Sequence, residues 1–269
     1  MSFAERLAAR AFPVALEITP PQRSLPHVLF RRARLLGDWA MAINVIQRPS
    51  RQSSLDASIQ LREAGIDPAW HLVTRGRSRE ELAADLGRAR ASGIRQVLCI
   101  RGDHAGDDLP GAPNIRETIA QVVELLPGAL IGATANQYLP DRDAVLRNLL
   151  PKLDAGAAYV QTQPVFATEA LTPLAEAVKE RSPSTHVVAM VMPLPTAAEA
   201  ERIAGRLGLA HAPAATGWAA FDDLVAALHA NPLVDAVAIM TLEMDPPPEA
   251  AERIVKALAN AGLAGALTP

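Results

Sequence analysis

Apolar residues in this chain fall into two alternating patterns. Short runs rich in Val, Ile, Leu and Ala recur at 13–19, 40–46, 69–74, 96–101, 129–135, 159–164, 186–193 and 234–242. Between them lie amphipathic stretches with helical spacing, such as 78–92 and 167–182. Ser78 with Glu81 three residues later has the spacing of a capping box, and Gly65 and Gly93 stand where helices should end. Eight β-type runs, each followed by a helical pattern, predict the α/β class and a single-domain (β/α)8 TIM barrel over residues 1–269. A doubly wound open sheet is the structural rival. The stretch 207–218 is the loosest and reads as an insertion before an extra helix near 219–230.

A barrel of this kind builds its site at the C-terminal ends of its strands. Polar residues gather there. In the first run Glu17 shares a face with Ala15 and Thr19, while Val14, Leu16 and Ile18 take the face that packs on helices. The second run carries Asn44 and the third His71. The apolar fourth run ends abruptly in Arg101, Gly102, Asp103 and His104. Tyr159, Gln161 and Gln163 share one face of the sixth, and Thr241 stands near the end of the eighth. Each has a plain structural alternative. Glu17 could form an ion pair, His71 could be a satisfied core histidine, Gln161 could fill the barrel, and Arg101 could pair with Asp103. Their convergence at one end favours a site, because buried ionisable groups destabilise a fold unless they are paired or serve a ligand.

Composition narrows the chemistry. Hydrophobic residues make up 49% and aromatics only 4%, so Ala, Leu, Val and Ile must build the core. A net charge of −3 gives no sign of nucleic-acid or membrane binding. One cysteine, Cys99, excludes an intrachain disulfide framework and suits the cytosol, and its apolar surroundings predict an inert thiol. The N-terminus has Glu5 and Arg10 where a signal peptide would be apolar, and there is no run of 18 apolar residues, so a cytoplasmic protein is expected. Lysine occurs only at 152, 179 and 256, none on a strand run, which argues against Schiff-base chemistry. GxGxxG, P-loop and GxSxG motifs are missing. Glu17, His71, Asp103 and His104 lack diagnostic ligand spacing, so no metal site is expected.

Three segments together resemble the methylenetetrahydrofolate reductase family. They are "ALEITPP" at 15–21, "HLVTRGRSREELAADLGRARASGIRQVLCIRGDH" at 71–104, and "KLDAGAAYVQTQPVF" at 152–166; "AMVMPLPT" and "MTLEMD" match more weakly. The resemblance implies a barrel that carries a flavin and reduces 5,10-methylenetetrahydrofolate to 5-methyltetrahydrofolate with NADH or NADPH, a step of one-carbon metabolism and methionine biosynthesis. By the same resemblance, Glu17 is the general acid at the leaving nitrogen, Asp103 contacts the pterin and tunes the flavin, and Gln163 orients the pterin. His71, Arg101, Gly102, Ala133 and Lys152 fall at flavin-contacting positions. FAD is the implied flavin, with FMN or no flavin as alternatives, the last with direct hydride transfer from NADH. The chain departs from the classical pattern at Ile46, Thr134 and Val145, where threonine, a nearby tyrosine and aspartate are usual. An accessory barrel subunit and a barrel enzyme acting on another pterin-like substrate are the competing readings. The oligomeric state is left open.

Overall fold

The computed structural model describes residues 1–102, 110–139, 141–263 and 265. Its strands are β1 (Val14–Ile18), β2 (Ala42–Val45), β3 (Pro68–Val73), β4 (Gln96–Ile100), β5 (Leu130–Ala135), β6 (Tyr159–Thr162), β7 (His186–Val191) and β8 (Ala236–Met240). All pair in parallel in sequence order, and β8 returns to β1, closing the barrel. All eight predicted runs are strands, and the open-sheet rival is excluded.

The helices are α1 (Phe3–Ala8), α2 (Pro26–Ala33), α3 (Ser54–Glu63), α4 (Arg79–Ala91), α5 (Ile115–Leu125), α6 (Arg142–Asp154), α7 (Thr168–Arg181), α8 (Ala197–Leu207), α9 (Trp218–Ala230) and α10 (Pro248–Asn260). None is long and apolar enough to cross a membrane. The capping box of α4 forms as its spacing predicts: Glu81 N–H donates to Ser78 Oγ at 3.2 Å, and Ser78 N–H to Glu81 Oε2 at 2.7 Å.

Strand alternation separates two apolar layers. Val14, Leu16 and Ile18 of β1, Trp70 and Leu72 of β3, and Val97 and Cys99 of β4 pack outward in the main core under the helices. Ala15, Ala42, Leu98, Tyr159, Val188, Ala236 and Ala238 fill the lumen. These are mostly small residues, and Tyr159 supplies the bulk. Gly132 makes room for it: a Cβ there would lie 2.1 Å from Tyr159 Cζ. Helix α1, which the strand–helix pattern did not reveal, sends Phe3 and Leu7 into the same lumen cluster.

The expected extra helix is misplaced in the sequence reading. Helix α9 packs against α7 and α10, so it belongs to the outer ring. The additional element is α8, whose Ala200 and Ile203 join Met192 and Leu194, just after β7, in a small separate cluster. Phe166, Met240 and Leu242, at and beyond the ends of β6 and β8, pack on the same cluster, so α8 covers that part of the rim.

Candidate active site

Glu17 sits near the end of β1 with its side chain turned inward, in register with Asn44 of β2 and Met240 of β8. It is 8% exposed. Gln161 of β6 reaches across the lumen, its Nε2 donating to Glu17 Oε2 at 3.3 Å while its Oε1 accepts from Asn44 Nδ2 at 2.9 Å. Gln161 is therefore a strut that orients the carboxyl, rather than inert filling. Burial pushes the Glu17 carboxyl up to about 7, against the opposing pull of the Arg48 guanidinium and the Gln161 amide. Glu17 also lines a cavity of about 990 Å³ that opens over β1 and β8. A carboxyl group held half-protonated near neutrality at the edge of a cavity is equipped to deliver a proton.

His71, two strands away on β3, is 3% exposed, and its Nε2 is buried without a hydrogen-bond partner. Burial pushes it down to about 3, so the ring is neutral. The bland expectation of a satisfied core histidine does not hold at this nitrogen. Gly102 follows β4 with φ +91°, and a Cβ there would meet Val73 Cγ1 at 2.5 Å, so only glycine fits. Arg101, just before it, is exposed, and its carbonyl accepts from Arg75 N–H at 2.9 Å. Lys152, in the last turn of α6, donates from Nζ to the Thr134 carbonyl at 3.0 Å, and burial pushes its ammonium down. Asp103 lies outside the described residues.

Gln163 follows β6 and is half-buried. Its backbone N–H is shared between the Ala135 carbonyl of β5 and Gln137 Oε1, both at 3.1 Å, and its carbonyl accepts from Gln137 Nε2 at 2.9 Å, so the Gln137 amide extends the β5 pairing past the strand end. Ala133 is not brought to the mouth. It faces outward into the main core with no exposed surface, and the alternation of β5 gives the inward position to Thr134. Of the three departures from the classical pattern, Val145 is buried in the same core, Ile46 lines the large cavity, and Thr134 offers its carbonyl to Lys152. Cys99 is wholly buried, its thiol pushed up to about 12, in keeping with an inert role.

Several features of this end were not read from the sequence. Arg48, Arg51 and Arg206 line the cavity. Asp245, after β8, is gripped by Arg31 at 2.7 Å and by the forked guanidinium of Arg32, which also donates to the Thr19 carbonyl at 2.7 Å. These contacts tie the loop after β8 to α2. The available signal was the position of Arg48, Arg51 and Asp245 on loops that follow strands, where barrels build their sites.

The sequence profile of the methylenetetrahydrofolate reductase family matches residues 2–241. The chain belongs to that family. A Caenorhabditis elegans protein described as "Probable methylenetetrahydrofolate reductase (NADPH)" is 24% identical over 212 residues, or 71% of this chain and 32% of the relative. The chain thus spans about a third of that relative's length. Among solved structures, a Clostridium thermocellum protein that binds two copies of 5-methyl-5,6,7,8-tetrahydrofolic acid superposes with a TM-score of 0.70 at 12% identity, covering 96% of this chain and 98% of that one. A 2,3-dimethylmalate lyase superposes at 0.56 with 14% identity over 99% of this chain and 89% of its own. At such identities these likenesses speak for the barrel fold alone.

Proposed function

We propose that this methylenetetrahydrofolate reductase family member reduces 5,10-methylenetetrahydrofolate to 5-methyltetrahydrofolate at the expense of NADH. The observation that carries the reading is Glu17: a buried carboxyl held near neutral pKa, oriented by Gln161 and Asn44, at the edge of a cavity large enough for the reactants. Opening the imidazolidine ring leaves electron density on the departing nitrogen, and a protonated Glu17 donates its proton there. The methylene carbon is left as a cationic iminium, which accepts the hydride and becomes the methyl group. Gln163, its backbone fixed by Gln137, orients the pterin in this reading. Asp103 stabilises the cation.

The residues at the flavin-contacting positions fit a flavin in part. The unpartnered Nε2 of His71, the tight backbone at Gly102, and the cations Arg101 and Lys152 supply polar groups for one. When bound, a flavin relays hydride between NADH and the folate. Against tight binding, Val145 is committed to the core and the Lys152 ammonium to the Thr134 carbonyl. Missing hydrogen bonds at about 1 kcal/mol each weaken binding by roughly tenfold or more. We therefore expect flavin to be partly lost on purification and FAD addition to raise activity. A colourless protein whose activity ignores added FAD or FMN would favour direct transfer from NADH instead.

The test of the main reading is product analysis. Purified protein supplied with NADH and 5,10-methylenetetrahydrofolate should form 5-methyltetrahydrofolate, and Glu17→Gln should lower the rate by about 10²–10⁴-fold. A rate within a few-fold of wild type in Glu17→Gln would refute the assignment of the proton.

A further inference from the structure

The cavity beside Glu17 holds more positive charge than proton delivery requires. Arg34 just past α2, Arg48 and Arg51 on the loop after β2, and Arg206 on α8 all line it. Arg51 reaches the Pro20 carbonyl at 3.5 Å. Arg34, Arg48 and Arg206 have no ion pair or side-chain hydrogen bond among the described residues. Three distant parts of the chain therefore bring to one cavity guanidinium groups that no salt bridge among the described residues holds, with Arg48 also acting on the Glu17 carboxyl. The loop that supplies two of the arginines is strained: Ser50, between Arg48 and Arg51, has φ +57°, a left-handed conformation that side chains other than glycine rarely adopt. Such strain persists where a ligand clamp needs it.

A guanidinium fork matches the oxygens of a phosphate or a carboxylate. The rest of the lining separates the two. Glu243 and Glu252 face the same cavity. They can accept hydrogen bonds from ribose hydroxyls, which accompany the phosphates of a nucleotide and which a tail of carboxylates lacks. A volume of about 990 Å³ is at the upper end for small-molecule sites and suits a dinucleotide. We propose that the cavity is a ribosyl-diphosphate subsite in which Arg34, Arg48 and Arg206 hold the diphosphate of the nicotinamide dinucleotide. The choice of dinucleotide rests on the reductase reading; the oxyanion chemistry does not. Of the positions that the family resemblance gives to a flavin, His71 stands on β3, Arg101 and Gly102 follow β4, and Lys152 is on α6.

Titration with ADP-ribose, which carries the ribosyl diphosphate and no hydride, tests the subsite independently of turnover. NADH, FAD and 5-methyltetrahydrofolate are titrated in parallel against wild type, Arg34→Ala and Arg206→Ala. Both arginines are exposed, Arg34 just past α2 and Arg206 in the last turn of α8, so the variants should fold, which an unchanged melting temperature verifies. Each substitution should raise the Kd for ADP-ribose and NADH about tenfold, while FAD and 5-methyltetrahydrofolate stay within about twofold. Weakening of FAD or of 5-methyltetrahydrofolate with ADP-ribose unaffected would assign the arginines to that ligand and overturn the proposal. So would an effect on none of them, or a wild-type protein that does not bind ADP-ribose. If ADP-ribose binding depends on these arginines in a protein that turns over no folate, the reductase reading fails and the subsite stands.

Discussion

Glu17 and His71 face the same lumen, and burial moves them in opposite directions along the pH axis. Glu17 is raised from 4.5 to about 7, so its contribution to stability is fully present below about 4.5 and is lost as pH rises through about 7. His71 is lowered from 6.5 to about 3, so its contribution is present above about 6.5 and is lost as pH falls toward 3. The two slopes oppose each other between about 4.5 and 6.5. We expect His71→Leu, which removes the titrating ring and keeps an apolar side chain, to flatten the acid limb of stability. Urea midpoints measured from pH 7 down to pH 4 should fall less steeply in the variant than in wild type. Equal slopes would mean that the ring is protonated, or solvated, in the folded protein.

Among the elements, Tyr159 brings a large ring to a lumen cluster where four of the seven strand residues are alanine, and β5 must yield to it. Gly132→Ala places a methyl within 2.1 Å of Tyr159 Cζ, and both residues sit in strands that cannot shift freely. Overpacking of this kind costs about 1–3 kcal/mol and should lower Tm by roughly 2–4 °C per kcal/mol. Tyr159→Leu in the same chain should recover part of the loss, and a melting curve unchanged by Gly132→Ala would contradict the packing. Much at this scale was legible beforehand. The alternation of β1 placed Glu17 inward and Val14, Leu16 and Ile18 outward, as observed. The same alternation, applied to β5, would have turned Ala133 outward and Thr134 inward; the family resemblance overrode it. The roles of α8 and α9 were exchanged because both have helical patterns, and only packing shows which one joins the ring. Arg48, Arg206 and Gln137 were not legible, since their convergence depends on loop paths and on the left-handed turn at Ser50, which periodicity does not encode.

For the molecule as a whole, closure of eight strands brings Glu17 from β1, its strut Gln161 from β6 and an arginine-lined cavity over β1 and β8 to the same end, while His71 stands on β3 and Arg101 follows β4. That division suits a reaction in which a proton and a hydride reach different atoms of one substrate. The central claim is that the proton comes from Glu17, and the pH dependence of kcat for NADH-driven reduction of 5,10-methylenetetrahydrofolate tests it most directly. Protonated Glu17 is the working form, so kcat should be level below about pH 6 and decline about tenfold per pH unit above about 7. The decline should vanish, on a much lower rate, in Glu17→Gln. A wild-type kcat that stays level or rises from pH 6 to 9, or a Glu17→Gln profile that keeps the same descending limb, would contradict the account.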